Sequence, residues 1–405
     1  MSYLETVIKV GDWLENKNYT GPDVSSRQSQ VCSSTLAFSV RGWLNLYHHT
    51  KNDCFLKKAV KCADWILALQ EPDGSWPFPW PFRRNPTNHA FACETMFTAL
   101  GLLELYQVTK NKKYLDSILR ARRFLLAKNG YYQLTEDSYC LWYSSTDKVR
   151  IPNLGGMAGH LFAKLFQVTR DPEDLRLATA FANYCISAQR PDGSSLYWFP
   201  PLDSSLQPEE DYSYDLQGRG RQPLDLHRSC YIPYHSLTIF EIEEAYKVIK
   251  TEPYKQYFVE AARFLSSIMS NFGSVPEMIT KEEWRPKNMS TSIKLHSPQD
   301  LLVIAYRIVG SKLFGRGGRV CTAKNIAWTA KALMAVSKYQ PGFLPLAEKA
   351  RGCLIADFID DDGGVMYNIY SKNTTLKRDK FIRGTSIAFE SLAYFLVADR
   401  LSSRA

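Results

Sequence analysis

The amino-acid sequence predicts an all-α protein, a ring of six helical hairpins termed an (α/α)6 toroid. Helical periodicity recurs along the whole chain, and two kinds of helix alternate within it. One kind is apolar nearly all round and rich in small residues, which is typical of buried helices. The other is amphipathic with Lys and Arg on one face, which is typical of surface helices. We therefore expect an inner and an outer ring of helices.

The predicted helices pair regularly along the sequence. Outer helices are expected near residues 2–15, 53–70, 112–128, 172–189, 252–271 and 342–358. Inner helices are expected near residues 31–48, 89–108, 153–169, 229–249, 322–338 and 380–401. A further helix near 299–310 fits neither ring. The first outer helix and the last inner helix have no hairpin partner in sequence. Their pairing would close the ring into one domain spanning residues 1–405.

The connections between helices predict which face of the ring is functional. Inner-to-outer connections are expected to be about three to six residues, whereas outer-to-inner connections reach about 20 residues or more. Three outer helices end in the similar stretches ADWILALQEPDGSWPF, ANYCISAQRPDGSSLYWF and ADFIDDDGGVMYN. Asp73, Asp192 and Asp362 in these stretches are explained by Asx-type turns rather than by catalysis. Since all the long loops fall on one face by topology, we expect them to line a pocket there.

Composition narrows the class of protein. The 405 residues are 45% hydrophobic and 22% charged, with no apolar run long enough to span a bilayer. The N-terminus reads as an amphipathic helix rather than a signal peptide, and the nine cysteines are scattered singly, so we expect a cytoplasmic protein with reduced thiols. The net charge of +9 favours anionic ligands. No motif predicts nucleic-acid binding, a metal site or a cofactor.

Polar and aromatic residues near the starts of the inner helices and in the long loops are the candidate site. Histidine, tyrosine and carboxyl side chains transfer protons, aromatic faces stack on sugar rings, and arginines clamp anions. The proton-transfer candidates are His227, Tyr231, His235, His296 and Glu94. The candidates for substrate binding are Trp76, Trp80, His89, Trp142, Asn153, Trp198, Arg228, Gln299 and Arg383.

Several stretches carry a resemblance to known proteins. The chain resembles the (α/α)6 class, which includes unsaturated glucuronyl hydrolases, some polysaccharide lyases and the helical domain of glucuronyl C5-epimerases. Within that class it is similar to toroid proteins associated with bacterial surface-polysaccharide biosynthesis. That similarity is carried by WYSSTDKVRIPNLGGMAGHLFAKL, ISAQRPDGSSLYW, IKLHSPQDLLVIAY and KFIRGTSIAFESLAYFL. The resemblance implies that Asn153, His296, Gln299 and Arg383 face the cavity.

Three functions stay open at this point. The first is a hydrolase, lyase or epimerase that acts on an anionic or uronic-acid-containing glycan. The second is a terpenoid cyclase, because LQEPDGSW (Leu69 to Trp76) is similar to the QW repeat of triterpene cyclases, which are also α/α toroids. This alternative predicts a dry aromatic cavity with one strong acid. The third is a non-catalytic glycan-binding protein with the same pocket. The oligomeric state is left open.

Overall fold

A computed structural model describes residues 2–23, 26–82, 85–197, 229–269, 273–275, 278–280, 322–366 and 380–402. Twelve α-helices lie in these residues. The outer helices are α1 (Tyr3–Asn16), α3 (Asp53–Ala68), α5 (Lys112–Arg123), α7 (Pro172–Ile186), α9 (Glu252–Ile268) and α11 (Leu344–Phe358). The inner helices are α2 (Ser33–Thr50), α4 (Ala92–Thr109), α6 (Pro152–Thr169), α8 (Ile232–Ile249), α10 (Ala323–Ser337) and α12 (Ile382–Ser402). A π-helical turn, Phe124–Asn129, continues α5.

Short β-strands lie at the ends of the long connections between helices. Four antiparallel two-stranded sheets lie in the described residues. They are β1 (Gly21–Asp23) with β2 (Ser26–Gln30), β3 (Pro77–Phe78) with β4 (His89–Ala90), β5 (Tyr131–Thr135) with β6 (Ser138–Leu141), and β7 (Ser229–Tyr231) with β8 (Met278–Thr280). The predicted helix near 299–310 lies outside the described residues. Among the described helices, none combines the length and apolarity that crossing a bilayer requires.

The helices close into the predicted ring. Each inner helix contacts the next one along the chain, and α12 packs against α2. The first outer helix closes the last hairpin, because the Tyr3 hydroxyl on α1 donates to the Leu392 carbonyl on α12 at 2.6 Å. The Trp13 indole nitrogen, also on α1, donates to the Asp362 carboxylate in the turn after α11 at 3.2 Å. The predicted pairing of the first outer and last inner helix is confirmed.

Inner-to-outer connections are shorter than the predicted three to six residues, in part because α2 and α4 run one or two residues further than predicted. Four of them have two residues, and each begins with a residue in the left-handed region. These are Lys51, Lys110, Arg170 and Lys250, with φ of 62°, 57°, 61° and 61°. The backbone N–H of each donates to the carbonyl of an aromatic residue four positions earlier and so satisfies one end of its helix. The four junctions thus repeat one backbone conformation.

The repeated Asp-Gly turns fasten one outer helix to the next. The Asp73 carboxylate accepts hydrogen bonds from the backbone and hydroxyl of Ser75 at 3.0 and 2.7 Å, which confirms the predicted Asx-type turn. The glycine of each Asp-Gly turn has positive φ and lies against a backbone carbonyl of the following outer helix. The pairs of glycine and carbonyl residue are Gly74 with Arg120, Gly193 with Glu260, and Gly363 with Lys9. Gly273, which is not preceded by Asp, makes the same contact with the Lys349 carbonyl.

Replacing Gly363 by alanine is expected to lower the free energy of unfolding by about 1–3 kcal/mol. A Cβ at this position would lie 2.5 Å from the Lys9 carbonyl oxygen, and the residue has φ of +91°. Gly352→Ala is the matched control, because a Cβ there meets nothing within 4 Å and Gly352 lies inside α11. It should stabilise by about 0.5–1 kcal/mol. Urea unfolding measures both, and equal effects would contradict this account of the turn.

The axis of the toroid is filled at mid-height by charged side chains. One residue from each inner helix contributes to this feature, which we call the ionic ring. Its members are Arg41, Glu104, His160, Glu241, Lys331 and Glu390. All except half-buried Glu104 are shielded from solvent. Four of them lie eight residues after the first residue of their helix, about 12 Å along its axis.

Contacts within the ionic ring join helices that are distant in sequence. Arg41 lies 2.9 Å from Glu104 and 3.4 Å from Glu390, and the Lys331 amine lies 2.5 Å from the Glu390 carboxylate. His160 Nδ1 is hydrogen-bonded to Glu241. Since buried charges are tolerated only when paired, these contacts fix the inner helices relative to one another.

Candidate functional site

Side chains at the N-terminal ends of the inner helices form the candidate site, on the face where the long loops lie. Glu94 is the one carboxylate in the first turns of the six inner helices, all of which are described. It lies on α4 and is fully buried. Arg383, in the first turn of α12, reaches it across the start of α2 with Nη2 at 3.2 Å from Oε2. Two residues proposed from the sequence are thus brought together.

Every other partner of the Glu94 carboxylate is a donor from the start of α2. Its Oε1 accepts from the Ser34 backbone N–H at 2.7 Å, the Ser33 hydroxyl at 2.8 Å and the Cys32 thiol at 2.9 Å. A helix N-terminus carries unsatisfied N–H groups and a partial positive charge, so the carboxylate also caps α2. Burial, together with the nearby Glu94 charge, raises the pKa of Cys32 well above its usual value. Cys32 is therefore a thiol donor here rather than a nucleophile.

Arg383 is held from beneath by aromatic residues. Its guanidinium lies over the Phe78 ring at 5.2 Å from the centroid, and Phe78 packs edge-on against Trp80 at 4.6 Å. Phe91, at the start of α4, completes this small buried cluster with Cys32. The cluster orients the arginine toward Glu94 and contributes a cation–π contact to its position.

A second group of aromatic residues surrounds a lysine. Lys324 Nζ lies 5.6 Å from the Tyr231 ring centroid, 5.2 Å from that of Tyr234 and 5.7 Å from that of Trp328. Tyr197, from the loop after α7, stacks on Tyr234 with 5.5 Å between ring centroids. Its centroid also lies 5.3 Å from that of Tyr231. Aromatic faces stabilise the ammonium charge of Lys324. The face therefore presents a second cation beside half-buried tyrosine rings.

One aromatic layer underlies these groups. Phe38, Phe97 and Trp328 come from α2, α4 and α10, and each lies five residues after the start of its helix. The centroid of Phe97 is 4.9 Å from that of Phe38 and 6.3 Å from that of Trp328. Glu94 and Lys324 lie one helical turn above this layer, and the ionic ring lies one turn below it. The site thus has an apolar floor.

The structure corrects several sequence-based predictions. Trp76 is fully buried and its indole nitrogen donates to the Ile66 carbonyl at 2.8 Å. Trp80 is 1% exposed within the cluster under Arg383. Neither ring has a face for stacking on a substrate, so both are packing residues. His235 is also buried, and burial lowers its pKa to about 4, so it is neutral near pH 7 and does not fit the predicted proton-transfer role.

The remaining sequence-based candidates fall into two groups, those that the structure describes and those outside the described residues. His89 lies in β4 and contacts the Thr146 hydroxyl at 3.1 Å. Trp142 is half-buried against Tyr132, with the Lys148 amine 5.4 Å from its ring. Their roles in binding a substrate stay predictions, as does proton transfer by Tyr231. Five candidates lie outside the described residues, namely Trp198, His227, Arg228, His296 and Gln299.

Two residues of the site were not singled out from the sequence. Lys324 and Trp328 occupy positions i and i+4 of the first turns of α10, so they share one face of that helix. Lys324 lies at the start of a predicted inner helix, 322–338, so the criterion that selected the other candidates also applies to it. From the sequence alone, a lysine at this position looks the same as a solvent-exposed lysine. The structure distinguishes them because it places Tyr231 and Tyr234 beside the Lys324 amine.

Comparisons with known proteins define the fold. No family model matches the chain, and no curated protein matches it. Among solved structures, an unsaturated glucuronyl hydrolase specific for heparin aligns with a TM-score of 0.66 at 12% identity, over 98% of each chain. A polysaccharide lyase aligns with a TM-score of 0.62 at 12% identity, over 99% of this chain and 98% of the other.

A third solved structure widens the range of chemistry on this fold. The GH76A α-1,6-mannanase from Salegentibacter sp. HEL1_6 aligns with a TM-score of 0.63 at 10% identity, over 98% of this chain and 100% of the other. These identities establish a shared fold and no more. The chain has the (α/α)6 toroid architecture of carbohydrate-active enzymes, as the sequence predicted.

Proposed function

We propose that the chain is a carbohydrate-active enzyme, a hydrolase, lyase or epimerase, that acts on an anionic, uronic-acid-containing glycan. The observation that carries the proposal is the buried carboxylate of Glu94 paired with Arg383 at the open end of the toroid. Reactions at the anomeric or C5 carbon of a uronate need a proton-transfer group, and the sugar carboxylate needs a cation. Glu94 provides the first and Arg383 and Lys324 the second.

The surroundings of the pair support a sugar as ligand. Tyr231, Tyr234 and Tyr197 offer flat rings beside Lys324, and such faces stack on the C–H side of a pyranose. An arginine has five N–H donors, so an ion pair with Glu94 is compatible with contact to a substrate carboxylate. The terpenoid cyclase alternative predicts a dry aromatic cavity with one strong acid and no cluster of arginines inside, and the two cations Arg383 and Lys324 on this face argue against it.

The reaction type depends on a second proton-transfer group. Glycoside hydrolases use two carboxyl groups, whereas lyases and epimerases need a base that removes the C5 proton and an acid that donates one. Tyr231, His227 and His296 remain the predicted partners of Glu94. Because Tyr231 is held among tyrosines and near an ammonium group, a phenol is the partner with the best support among described residues.

A panel of oligosaccharides tests this function. Uronate-containing substrates, saturated and unsaturated at the non-reducing end, are incubated with the full chain beside neutral glucose or mannose counterparts of equal length. Mass spectrometry detects hydrolysis, ultraviolet absorbance detects a new C4–C5 double bond, and deuterium uptake at C5 detects epimerisation. We expect turnover of one acidic class, and Arg383→Met should lower kcat/KM for it by about tenfold through loss of a charge-assisted contact.

A matched control isolates the charge effect. Arg176→Met removes an arginine paired with Glu173 on the outer helix α7, far from the site, and should leave kcat/KM unchanged. Binding or turnover of neutral substrates alone would contradict the proposal, and so would an acidic substrate whose kcat/KM does not respond to Arg383→Met. Absence of any binding across the acidic panel would also overturn it.

A further inference from the structure

A narrow cleft opens between α6, α8 and the loop after α7, beside the tyrosines of the candidate site. It is lined by Asn153 and Ser195 on one side and by Tyr231, Tyr234 and His235 on the other. Most of these side chains are explained by packing or by hydrogen bonds within the protein. Two polar atoms are not, and both belong to residues more than nine-tenths buried.

The first of these atoms is Nδ1 of His235. The ring is fixed by its other nitrogen, since Nε2 faces the Ala261 carbonyl at 3.4 Å and the ring meets Phe264 edge-on at 5.4 Å. A contact with a carbonyl requires the proton on Nε2, which leaves a lone pair on Nδ1. Burial lowers the pKa of His235 to about 4, so the ring is neutral near pH 7. Among the described residues Nδ1 has no hydrogen-bond partner, so it is an acceptor that they leave unsatisfied.

The second atom is Oδ1 of Asn153. This residue is 8% exposed, in the first turn of α6 after Pro152. Its Oδ1 is buried and has no hydrogen-bond partner within the part of the chain that the structure describes. Buried polar atoms are almost always paired, so an unpaired acceptor indicates a group that these residues do not supply. Two such acceptors line the same cleft.

We infer that this cleft is a hydroxyl-binding subsite, in which substrate hydroxyl groups donate to Asn153 Oδ1 and His235 Nδ1. The inference rests on the proposed function and specifies its substrate orientation. Two acceptors repel a carboxylate. A cationic donor is disfavoured by Lys324, because its amine lies 5.2 Å from the Tyr234 ring at the cleft. A neutral O–H donor satisfies both conditions. The sugar carboxylate is consequently kept from the two acceptors, and Lys324 and Arg383 are the cations of the site that would bind it.

A set of deoxy sugars tests the inference. Calorimetry measures binding of methyl β-D-glucuronoside and of its 2-, 3- and 4-deoxy analogues to the full chain. One analogue should bind about tenfold more weakly than the parent, which corresponds to one lost hydrogen bond of about 1.4 kcal/mol. In Asn153→Ala or His235→Phe, that difference should disappear, because the acceptor for the hydroxyl is gone. Ser195→Ala is the control in the same cleft, since that hydroxyl already has Tyr257 as partner at 3.0 Å.

A second measurement separates this inference from the proposed function. Ring-nitrogen NMR of the protein labelled with ¹⁵N-histidine, assigned with His235→Phe, is recorded with neutral methyl β-D-glucoside. A change at His235 Nδ1 that is lost in Asn153→Ala supports the subsite even where no acidic glycan is turned over. If neither glycoside changes this resonance, and every deoxy analogue binds all variants alike, the cleft holds water only. The inference is then overturned whether or not the chain is an enzyme.

Discussion

Replacing Glu94 by glutamine is expected to lower kcat for the acidic substrate by roughly 10²–10⁴-fold, the range for loss of a proton-transfer group. Glutamine keeps the size of the side chain and an oxygen that accepts from Ser33 and Ser34. It cannot donate or accept a proton at the reacting carbon. Its amide also turns a donor toward Arg383 where the carboxylate offered an acceptor. Steady-state kinetics on the substrate found with the oligosaccharide panel measures the effect.

The control separates chemistry from helix capping. Because Glu94 also satisfies the N-terminus of α2, part of any loss could come from a displaced helix. Unfolding in urea reports that part, and we expect a cost of about 1–2 kcal/mol, as for other lost caps. Glu173→Gln removes a carboxylate paired with an arginine outside the site and should change neither kcat nor KM. If Glu94→Gln lowers the free energy of unfolding but leaves kcat and kcat/KM unchanged, Glu94 is a structural cap only.

The helices could be predicted closely because their patterns are local. Inner helices are buried nearly all round and outer ones on one face, and this difference is visible in composition alone. Most errors, of one to three residues, fall at helix ends, and the largest is at α5, which was predicted to end near 128 but ends at Arg123, where a π-helical turn continues it to Asn129. The inner helix predicted to start at residue 89 starts at Ala92, because His89 and Ala90 pair with β3 instead. Strand pairing between the two ends of a loop is not encoded in helical periodicity.

The site was predicted in part. Glu94 and Arg383 were found because they begin inner helices, and ring topology brings such positions to one face. Trp76 and Trp80 were misassigned because an aromatic residue in a long loop looks the same whether it lines a pocket or packs beneath one. What distinguishes them is their contact with other elements of the fold. The Trp76 indole reaches back to Ile66, and the cluster around Trp80 supports Arg383 from more than 300 positions away.

The ionic ring was not foreseen for a related reason. Arg41, Lys331 and Glu390 each stand alone in a stretch of small residues, where a single charge reads as an interruption of the apolar pattern. Their common height, eight residues after each helix start, becomes evident only once the helix starts are known. The layers below the site thus have a fixed order. The aromatic floor lies five residues after the helix starts, and the ionic ring lies eight residues after them.

Replacing Glu390 by glutamine is expected to lower the free energy of unfolding by about 3–5 kcal/mol, since it leaves a buried cation without its carboxylate. Lys331 is 2% exposed, with its amine over the Phe240 ring at 3.5 Å. Burial and the nearby Arg41 lower the pKa of Lys331, whereas Glu390 raises it. Without Glu390, its pKa falls further and the charged form is destabilised. Urea unfolding at neutral pH measures the loss.

The pH dependence of the same variant gives an independent check. Burial raises the pKa of Glu390, but Lys331 and Arg41 outweigh it, so the net pKa lies below the usual value of 4.5. A carboxyl with a lowered folded-state pKa contributes stability above its unfolded pKa and loses it as pH falls through the folded pKa. The difference in stability between wild type and Glu390→Gln should therefore shrink as the pH is lowered below about 4.5. A difference that stays constant there would contradict the ion-pair account.

A double variant then distinguishes charge from shape. Lys331→Met with Glu390→Gln removes both partners and leaves Arg41 paired with Glu104 at 2.9 Å. Because apolar replacement of a buried ion pair is often neutral, the double variant should recover most of the loss caused by Glu390→Gln. Asp12→Asn, which breaks an exposed pair with Lys58 on the outer ring, should cost less than about 1 kcal/mol. If the double variant is as unstable as the single one, the ring stabilises the toroid through the packing of its side chains, and pairing of their charges contributes little.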